Sequence, residues 1–412
     1  MPFIAKTIPF QCKLGVIMLT EQHIQIVKST IPILENAGPA LTEHFYRRLF
    51  LHNPELQDIF NMSNQHSGRQ QVALFEAIAA YAKNIENVAV LQTAVERIAQ
   101  KHTSINIQPE HYSVVGHHLI ETLRELTGDI FTADIEQAWT TAYQFLAQIF
   151  INREAELYQQ RAATKGGWRG ARAFKVVDKI VESELVKSFI FAPLDQQGVI
   201  GFSPGQYLGI EVTPTDSEYK EVRQYSLSAQ SNQQSYRISV KREINGVPGK
   251  VSNYLHDGIN VGDEVSLYAP AGDFFFVNRQ KPVVLISAGV GITPMQAMLE
   301  TLAEQSYQES VHYLHACENN EQHSFAQRTT ELMNENDWQQ HIWYRSEDVK
   351  QQQPHINHGV MGFGELSLPI NEGDFYLCGP IGFMQFAKQQ LLTLGVPETS
   401  IHYEVFGPHQ SL

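Results

Sequence analysis

A glycine-rich stretch, Thr164-Lys-Gly-Gly-Trp-Arg-Gly-Ala-Arg172, divides the chain into two textures. Three glycines fall within five residues there, which marks a flexible boundary. Before it, from Leu19 to about Arg161, apolar residues recur at helical spacing. Pro32, Gly38-Pro39, Asn53-Pro54, Ser67-Gly68, Pro109 and Gly128 punctuate that region. Roughly seven helices fit between these breaks, as an all-α domain of about 140 residues. Thr20, followed three residues later by His23, is a fair cap for the first helix.

After the boundary the period changes. Phe174–Val181, Gln206–Val212, Arg223–Leu227, Tyr236–Lys241 and Glu264–Ala269 read as short strands separated by Pro/Gly turns. One helical insert near Ser252–His256 interrupts them. The pattern predicts a small antiparallel β-barrel. From Pro282 strands alternate with helices: Val283-Val-Leu-Ile-Ser, Val311-His-Tyr-Leu-His, His341-Ile-Trp-Tyr and Asp374-Phe-Tyr-Leu-Cys are strands. That alternation predicts an α/β domain with a parallel sheet. The expected fold is multidomain: residues 1–17 as an extension, an all-α domain over 18–163, a barrel over 170–277 and an α/β domain over 281–412.

The charge balance, 30 basic against 44 acidic residues for a net −14, argues against a nucleic-acid-binding surface. The three cysteines, Cys12, Cys317 and Cys378, are too widely spaced for a disulfide framework or a zinc cluster, so a reducing compartment, the cytoplasm, is expected. No apolar run approaches the ~20 residues of a membrane-spanning helix. Residues 1–17 lack the uninterrupted apolar run of a secretion signal, and Met18 is a candidate start.

Leu91, Val95, Ile98 and His102 recur at intervals of four, three and four and share a helix face. A histidine closing an apolar stripe is either a satisfied core residue or an axial ligand aimed into an apolar cavity. Other helices also place polar groups on apolar stripes. Gln70 shares a face with Leu74, Ala77 and Tyr81; Tyr112 with Val115, Leu119 and Leu123; Glu154 with Trp139, Ala142, Leu146, Phe150 and Leu157. A carboxylate on a buried face needs a partner. Tyr46 is another candidate inward hydroxyl, and these groups fit either one buried polar network or separate roles.

The motifs His44-Phe-Tyr46, Asn53-Pro-Glu-Leu, Ile59-Phe60-Asn-Met-Ser-Asn, Lys101-His102-Thr-Ser and Phe150-Ile-Asn-Arg-Glu154 resemble the globin domain of the bacterial flavohaemoglobins. The resemblance runs from about Leu19 to the C-terminus. It implies that His102 ligates haem iron, that Phe60 packs against the haem and that Lys101 lies among the cofactor contacts. It implies distal donors in Tyr46 and Gln70, and support for His102 from Tyr112 and Glu154. His66, one turn upstream of Gln70, is a rival distal residue better placed on a solvated face.

In the barrel, Arg223-Gln224-Tyr225-Ser226 matches the R-x-Y-S motif of ferredoxin-reductase-like flavoproteins. The likeness implies an Arg223 contact to the FAD pyrophosphate, with Tyr225 and Ser226 at the flavin ring. Phe202-Ser-Pro-Gly-Gln-Tyr207 matches a second contact loop. Gly249-Lys250-Val251-Ser252 puts a turn before a helix start suited to a pyrophosphate. In the α/β domain, Gly289-Val290-Gly291-Ile292-Thr293-Pro294 follows a strand and opens a helix, as a dinucleotide site requires. Ile292 departs from the polar residue common in relatives. Cys378-Gly379-Pro380 is the second half of that signature, and Tyr344-Arg345 are candidate contacts to the adenosine end. The terminal Glu404-Val405-Phe406-Gly407-Pro408 resembles the family segment whose aromatic covers the flavin and whose Glu tunes it.

The resemblance implies a cytoplasmic, monomeric oxidoreductase with haem b, FAD and NAD(P)H as cofactors. It would turn nitric oxide and O2 into nitrate, passing electrons from NAD(P)H through FAD to haem. The alternatives are a general haem/flavin reductase acting on O2, peroxides or ferric chelates, and a gas-binding sensor or oxygen store. Its partners would be small molecules, with no nucleic acid and no transmembrane segment.

Overall fold

The structure is a computed structural model and describes residues 18–60, 69–215, 217–346 and 355–407. The extension 1–17, His66 and Pro408 lie outside the described residues. The chain forms two compact units. One holds the described residues up to Pro54 with Leu74–Val95 and Gln108–Arg153; the other holds Glu55–Ala73, Glu96–Ile107 and the chain from Glu154 onward.

The helical region comprises α1 (Glu21–Ser29), α2 (Ile31–His52), α3 (Arg69–Lys83), α4 (Gln92–Thr103), α5 (Pro109–Thr127) and α6 (Ala133–Ala163). Thr20 caps α1 in a complete capping box: its side chain accepts from the His23 backbone, and the His23 ring accepts from the Thr20 N–H. The cap is therefore stronger than the sequence alone suggests. Gly38, at φ 47°, breaks α2 into two segments. In the first unit α2 packs on α5 around Leu41, Phe45, Leu49, Leu119 and Leu123, all buried. A Cβ at Gly116 would overlap the Tyr143 ring, so the missing side chain lets α5 and α6 approach closely. Two hydrogen bonds pin the tops of helices: Trp139 Nε1 to Thr30 Oγ1 at 2.9 Å and Tyr81 OH to the Ala142 carbonyl at 2.8 Å.

In the second unit six strands form an antiparallel sheet in the order β4-β3-β6-β1-β2-β5: β1 Arg172–Val181, β2 Val186–Pro193, β3 Tyr207–Val212, β4 Glu221–Ser226, β5 Tyr236–Lys241 and β6 Glu264–Leu267. Past the end of β4, a Leu227–Ile238 bridge and a 2.9 Å bond from the Ser228 N–H to the Arg237 carbonyl join the two edge strands. The expected barrel closes there, around Phe174, Phe189, Phe191, Leu208, Ile210 and Tyr236. The insert is helix α7, Lys250–Asp257. Strand β2 escaped the sequence reading because Phe189-Ile190-Phe191 is a continuous apolar run without alternation.

A second sheet is wholly parallel, in the order β10-β9-β8-β7-β11-β12. Its strands are β7 Val283–Ala288, β8 Val311–Cys317, β9 Gln339–Tyr344, β10 Ile356–His358, β11 Asp374–Cys378 and β12 Ile401–Glu404. Alternate residues face opposite layers. Leu285, Tyr313 and Ile342 pack with helices α8 (Ile292–Glu304) and α9 (Ala326–Glu335). Ile286, Leu314 and Leu377 pack with helix α10 (Ile381–Thr393). This is the α/β architecture expected. Among the described residues no helix is long and apolar enough to cross a membrane.

Candidate functional site

His102 sits in the last turn of α4, and its Nδ1 lies 2.8 Å from Glu154 Oε1. Glu154 is 3% exposed. A carboxylate so buried accepts the ring N–H, which fixes the tautomer and leaves the lone pair on Nε2. The turn after His102 is held too. The Ile107 N–H bonds the His102 carbonyl at 3.0 Å, and Tyr158 OH donates to the Ile107 carbonyl at 2.9 Å. Arg161, two turns past Glu154 on α6, donates to Gln100 Oε1 at 2.5 Å and to Thr103 Oγ1 at 2.6 Å. One helix face therefore grips α4 on both sides of the imidazole. An imidazole oriented by a carboxylate at its far nitrogen fits an axial ligand of haem iron.

The other helical candidates are placed as follows. Tyr46 is buried in the first unit, edge-on to Phe45 at 5.0 Å and stacked with Phe50 at 5.9 Å. Tyr112, in the same unit, stacks on Phe150 at 6.2 Å, and its carbonyl accepts from Tyr143 OH at 2.7 Å. Phe60 is half-buried in the second unit. The backbone of Gln70 is in α3, and its side chain lies outside what is described.

In the barrel, Glu221 gathers two of the expected cationic residues. Arg223 Nη2 is 2.9 Å from its Oε2 and Lys250 Nζ is 3.2 Å from its Oε1. Glu221 is buried, and it gathers the two basic side chains at the strand and helix start expected to meet a pyrophosphate. Gly249 is the N-cap of α7, with Val251 and Ser252 buried in its first turn. Glu221 was not anticipated, although it lies two residues before Arg223 and so on the same strand face. Tyr225 is partly buried against the barrel core and Ser226 is buried at the end of β4. Tyr207, paired with Ser226 in register, packs its ring against Gly272, where a Cβ would come within 2.9 Å.

At the carboxyl end of β7 the two halves of the dinucleotide signature meet. A Cβ on Gly291 would overlap the Cys378 carbonyl, and one on Gly379 would lie 3.2 Å from the Ala288 Cβ. Gly289 adopts φ 52°, which favours glycine. Ile292, Thr293 and Pro294 form the buried first turn of α8, and Thr293 Oγ1 donates to the Val290 carbonyl at 3.0 Å. Pro380 caps α10. The backbone is thus bare where a pyrophosphate would approach a helix start. Cys378 is fully buried and burial pushes its thiol well up, so it packs as a small apolar group there. Tyr344 points into the core and its OH lies 3.0 Å from His323 Nδ1, while Arg345 follows it at the exposed strand end.

The terminal segment joins these elements within the second unit. Lys101 Nζ donates to the Gly407 carbonyl at 2.6 Å. Burial lowers the Lys101 ammonium pKa, and Glu404 opposes that shift. Burial and then Asp273 push the Glu404 carboxyl up to about 7, with Lys101 and Arg97 opposing. Val405 is buried, whereas Phe406 is 42% exposed and free to cover a ring. Arg161 and Asp273 carried no sequence motif; only the i, i+7 relation of Arg161 to Glu154 hinted at one of them.

Fold and site together define a globin joined to a flavin- and nicotinamide-binding reductase. A Globin family model matches residues 43–150, an oxidoreductase FAD-binding domain model residues 173–276 and an oxidoreductase NAD-binding domain model residues 285–389. A flavohemoprotein of Vibrio cholerae serotype O1 is 61% identical over 397 residues, covering 96% of this chain and all of that one. The chain belongs to the flavohemoprotein family. The crystal structure of a flavohemoglobin from Malassezia yamatoensis with bound FAD and heme is 27% identical, with a TM-score of 0.84 over 94% of this chain and all of that chain. The FAD/NAD-binding domain of a nitric oxide dioxygenase from Vibrio cholerae O1 biovar El Tor is 57% identical, covering 58% of this chain and all of that one at a TM-score of 0.56.

Proposed function

We propose that the chain is an NAD(P)H-dependent nitric oxide dioxygenase that converts nitric oxide and O2 to nitrate in the cytoplasm, acting as a monomer. When bound, haem supplies the iron that holds O2, FAD splits a hydride pair into single electrons and the nicotinamide delivers that pair. The observation that carries this reading is the 2.8 Å His102–Glu154 pair, in one compact unit with both cofactor-binding domains. An oxygen store has no need of a carboxylate that makes its axial ligand more anionic, nor of a reductase.

The residues divide the work. Glu154 holds the Nδ1 proton of His102, and the family resemblance gives Tyr112 a part in supporting that ligand. Tyr46 and Gln70 would be the distal hydrogen-bond donors that stabilise negative charge beside the haem. Phe60 and Lys101 position the haem. Tyr207, Arg223, Gln224, Tyr225, Ser226 and Gly249–Ser252 hold FAD. Gly289–Pro294 and Cys378–Pro380 hold the nicotinamide dinucleotide, and Glu404–Pro408 close over the flavin. The domain limits that go with these roles are 18–163, 170–277 and 281–412. Wide cysteine spacing supports the cytoplasmic assignment.

The test is product analysis. Purified protein loaded with haem and FAD is expected to consume nitric oxide only with both O2 and NAD(P)H, yielding nitrate in equal amount. Consumption without nitrate overturns the proposal.

A further inference from the structure

The carboxyl end of α4 rests on the barrel, and one glycine sets how closely. Gly209 lies mid-way along β3, between the fully buried core residues Leu208 and Ile210. Strand alternation turns it to the opposite face, yet it is buried. What covers it is Ser104, two residues past His102 and itself 0% exposed. A Cβ on Gly209 would overlap the Ser104 carbonyl oxygen and lie 3.1 Å from Tyr268 Cδ2. No rotamer relieves that clash, because a carbonyl of the main chain is one party to it.

The neighbour across the strand pair takes part. Gly209 pairs in register with Gln224, the second residue of the flavin motif Arg223-Gln-Tyr-Ser226. Gln224 Nε2 donates to Ser104 Oγ at 3.3 Å, and Ser104 Oγ in turn donates to the Lys101 carbonyl at 2.6 Å. Three further contacts hold α4 down. Arg97 Nε is 3.0 Å from Asp273 Oδ2, and the Gly272 N–H donates to Gln100 Oε1 at 3.2 Å. Lys101 holds the Gly407 carbonyl, as above. Every one of these residues belongs to the same compact unit.

We propose that Gly209 is a positioning residue for internal electron transfer: its missing side chain lets the His102-bearing end of α4 seat on the flavin-binding strand β4. This rests on the reading of His102 as the haem ligand and of β4 as a flavin contact. Each hydride delivers two electrons to the flavin, and each transfer oxidises the flavin by one electron and reduces one ferric iron to ferrous. The rate of that transfer depends on the separation of the two groups. Gly209→Ala pushes the two supports apart and leaves both sets of cofactor contacts in place.

The experiment uses the full chain loaded with haem and FAD, mixed rapidly with NADH without O2, following flavin bleaching and ferrous haem separately. For Gly209→Ala, flavin bleaching is expected to stay within about twofold of native, while haem reduction slows by roughly tenfold or more. Amide hydrogen exchange is expected to speed up over residues 100–107 and to stay unchanged over 221–226. Ser104→Ala removes the bond from Gln224 and the bond to the Lys101 carbonyl, and adds no bulk. It is expected to slow haem reduction in the same direction by a smaller factor, and it decides the matter should Gly209→Ala fail to fold. A folded, loaded Gly209→Ala that reduces its haem at the native rate overturns the proposal, as does an unaffected Ser104→Ala where the first variant cannot be made. A native chain whose haem stays oxidised under NADH overturns instead the reading on which the proposal rests.

Discussion

His102 and Glu154 lie 52 residues apart in sequence and meet at 2.8 Å, the carboxylate being almost wholly buried. The same face of α6 carries Arg161, which holds Gln100 and Thr103 on either side of the imidazole. The imidazole is thus oriented by a clamp on one helix rather than by a single bond.

Glu154→Gln keeps the volume and a polar partner for His102 but removes the negative charge. Nitric oxide dioxygenation is expected to fall by about 10- to 100-fold, with a higher haem reduction potential and little change in haem content. Spectroelectrochemical titration of native and variant protein checks the potential.

Tyr46→Phe keeps the ring between Phe45 and Phe50 and deletes only the hydroxyl. Loss of one hydrogen bond to bound oxygen is expected to raise the O2 dissociation rate by roughly tenfold. Flash photolysis or rapid dilution into an O2 scavenger measures it, and an unchanged rate removes Tyr46 from the distal role.

Gly291→Ala drives a Cβ into the Cys378 carbonyl and forces the halves of the dinucleotide signature apart. NADH-driven flavin bleaching is expected to slow by about 100-fold or more, while dithionite still reduces the flavin at the native rate. The contrast separates loss of nicotinamide binding from loss of FAD.

His118, 2% exposed, has its imidazole pKa lowered to about 4, first by burial and then by Arg48, His117 and His52. Its Nδ1 is 2.7 Å from Arg48 Nη1 and its Nε2 is 2.8 Å from Asn53 Oδ1. The unfolded chain takes up this proton near 6.5, and the folded chain only near 4. The stability from the neutral ring is therefore complete above pH 6.5 and drains as pH falls toward 4. His118→Gln is expected to flatten the fall in denaturant midpoint between pH 7.5 and pH 5, a comparison made by urea unfolding.

Much of this was readable in the chain because the informative signals are local. The glycine boundary, the period change after it and the strand–Gly-loop–helix at Ser287–Met295 each lie within a short window. The stripe ending at His102 and the buried Glu154 were legible as two separate anomalies. Their meeting was implied only by the family resemblance and not by spacing, because it depends on how α4 and α6 cross. Glu221 and Gly209 stayed hidden for different reasons. An acidic residue beside an arginine reads as ordinary surface pairing until burial is known. A strand glycine carries no side chain whose absence can be interpreted without the neighbour that fills the space. Strand β2 was passed over because its apolar run lacks a period, and helix α9 because it carries too few apolar residues to show one.

The central claim, that an iron held by His102 is fed from the reductase half of the same chain, is tested most directly by visible absorption of the purified protein before and after anaerobic addition of NADH. Haem and flavin bands should appear together, and the haem bands should then shift from the ferric to the ferrous form with no added carrier. A chain that lacks haem, or whose haem remains ferric while the flavin bleaches, contradicts the account.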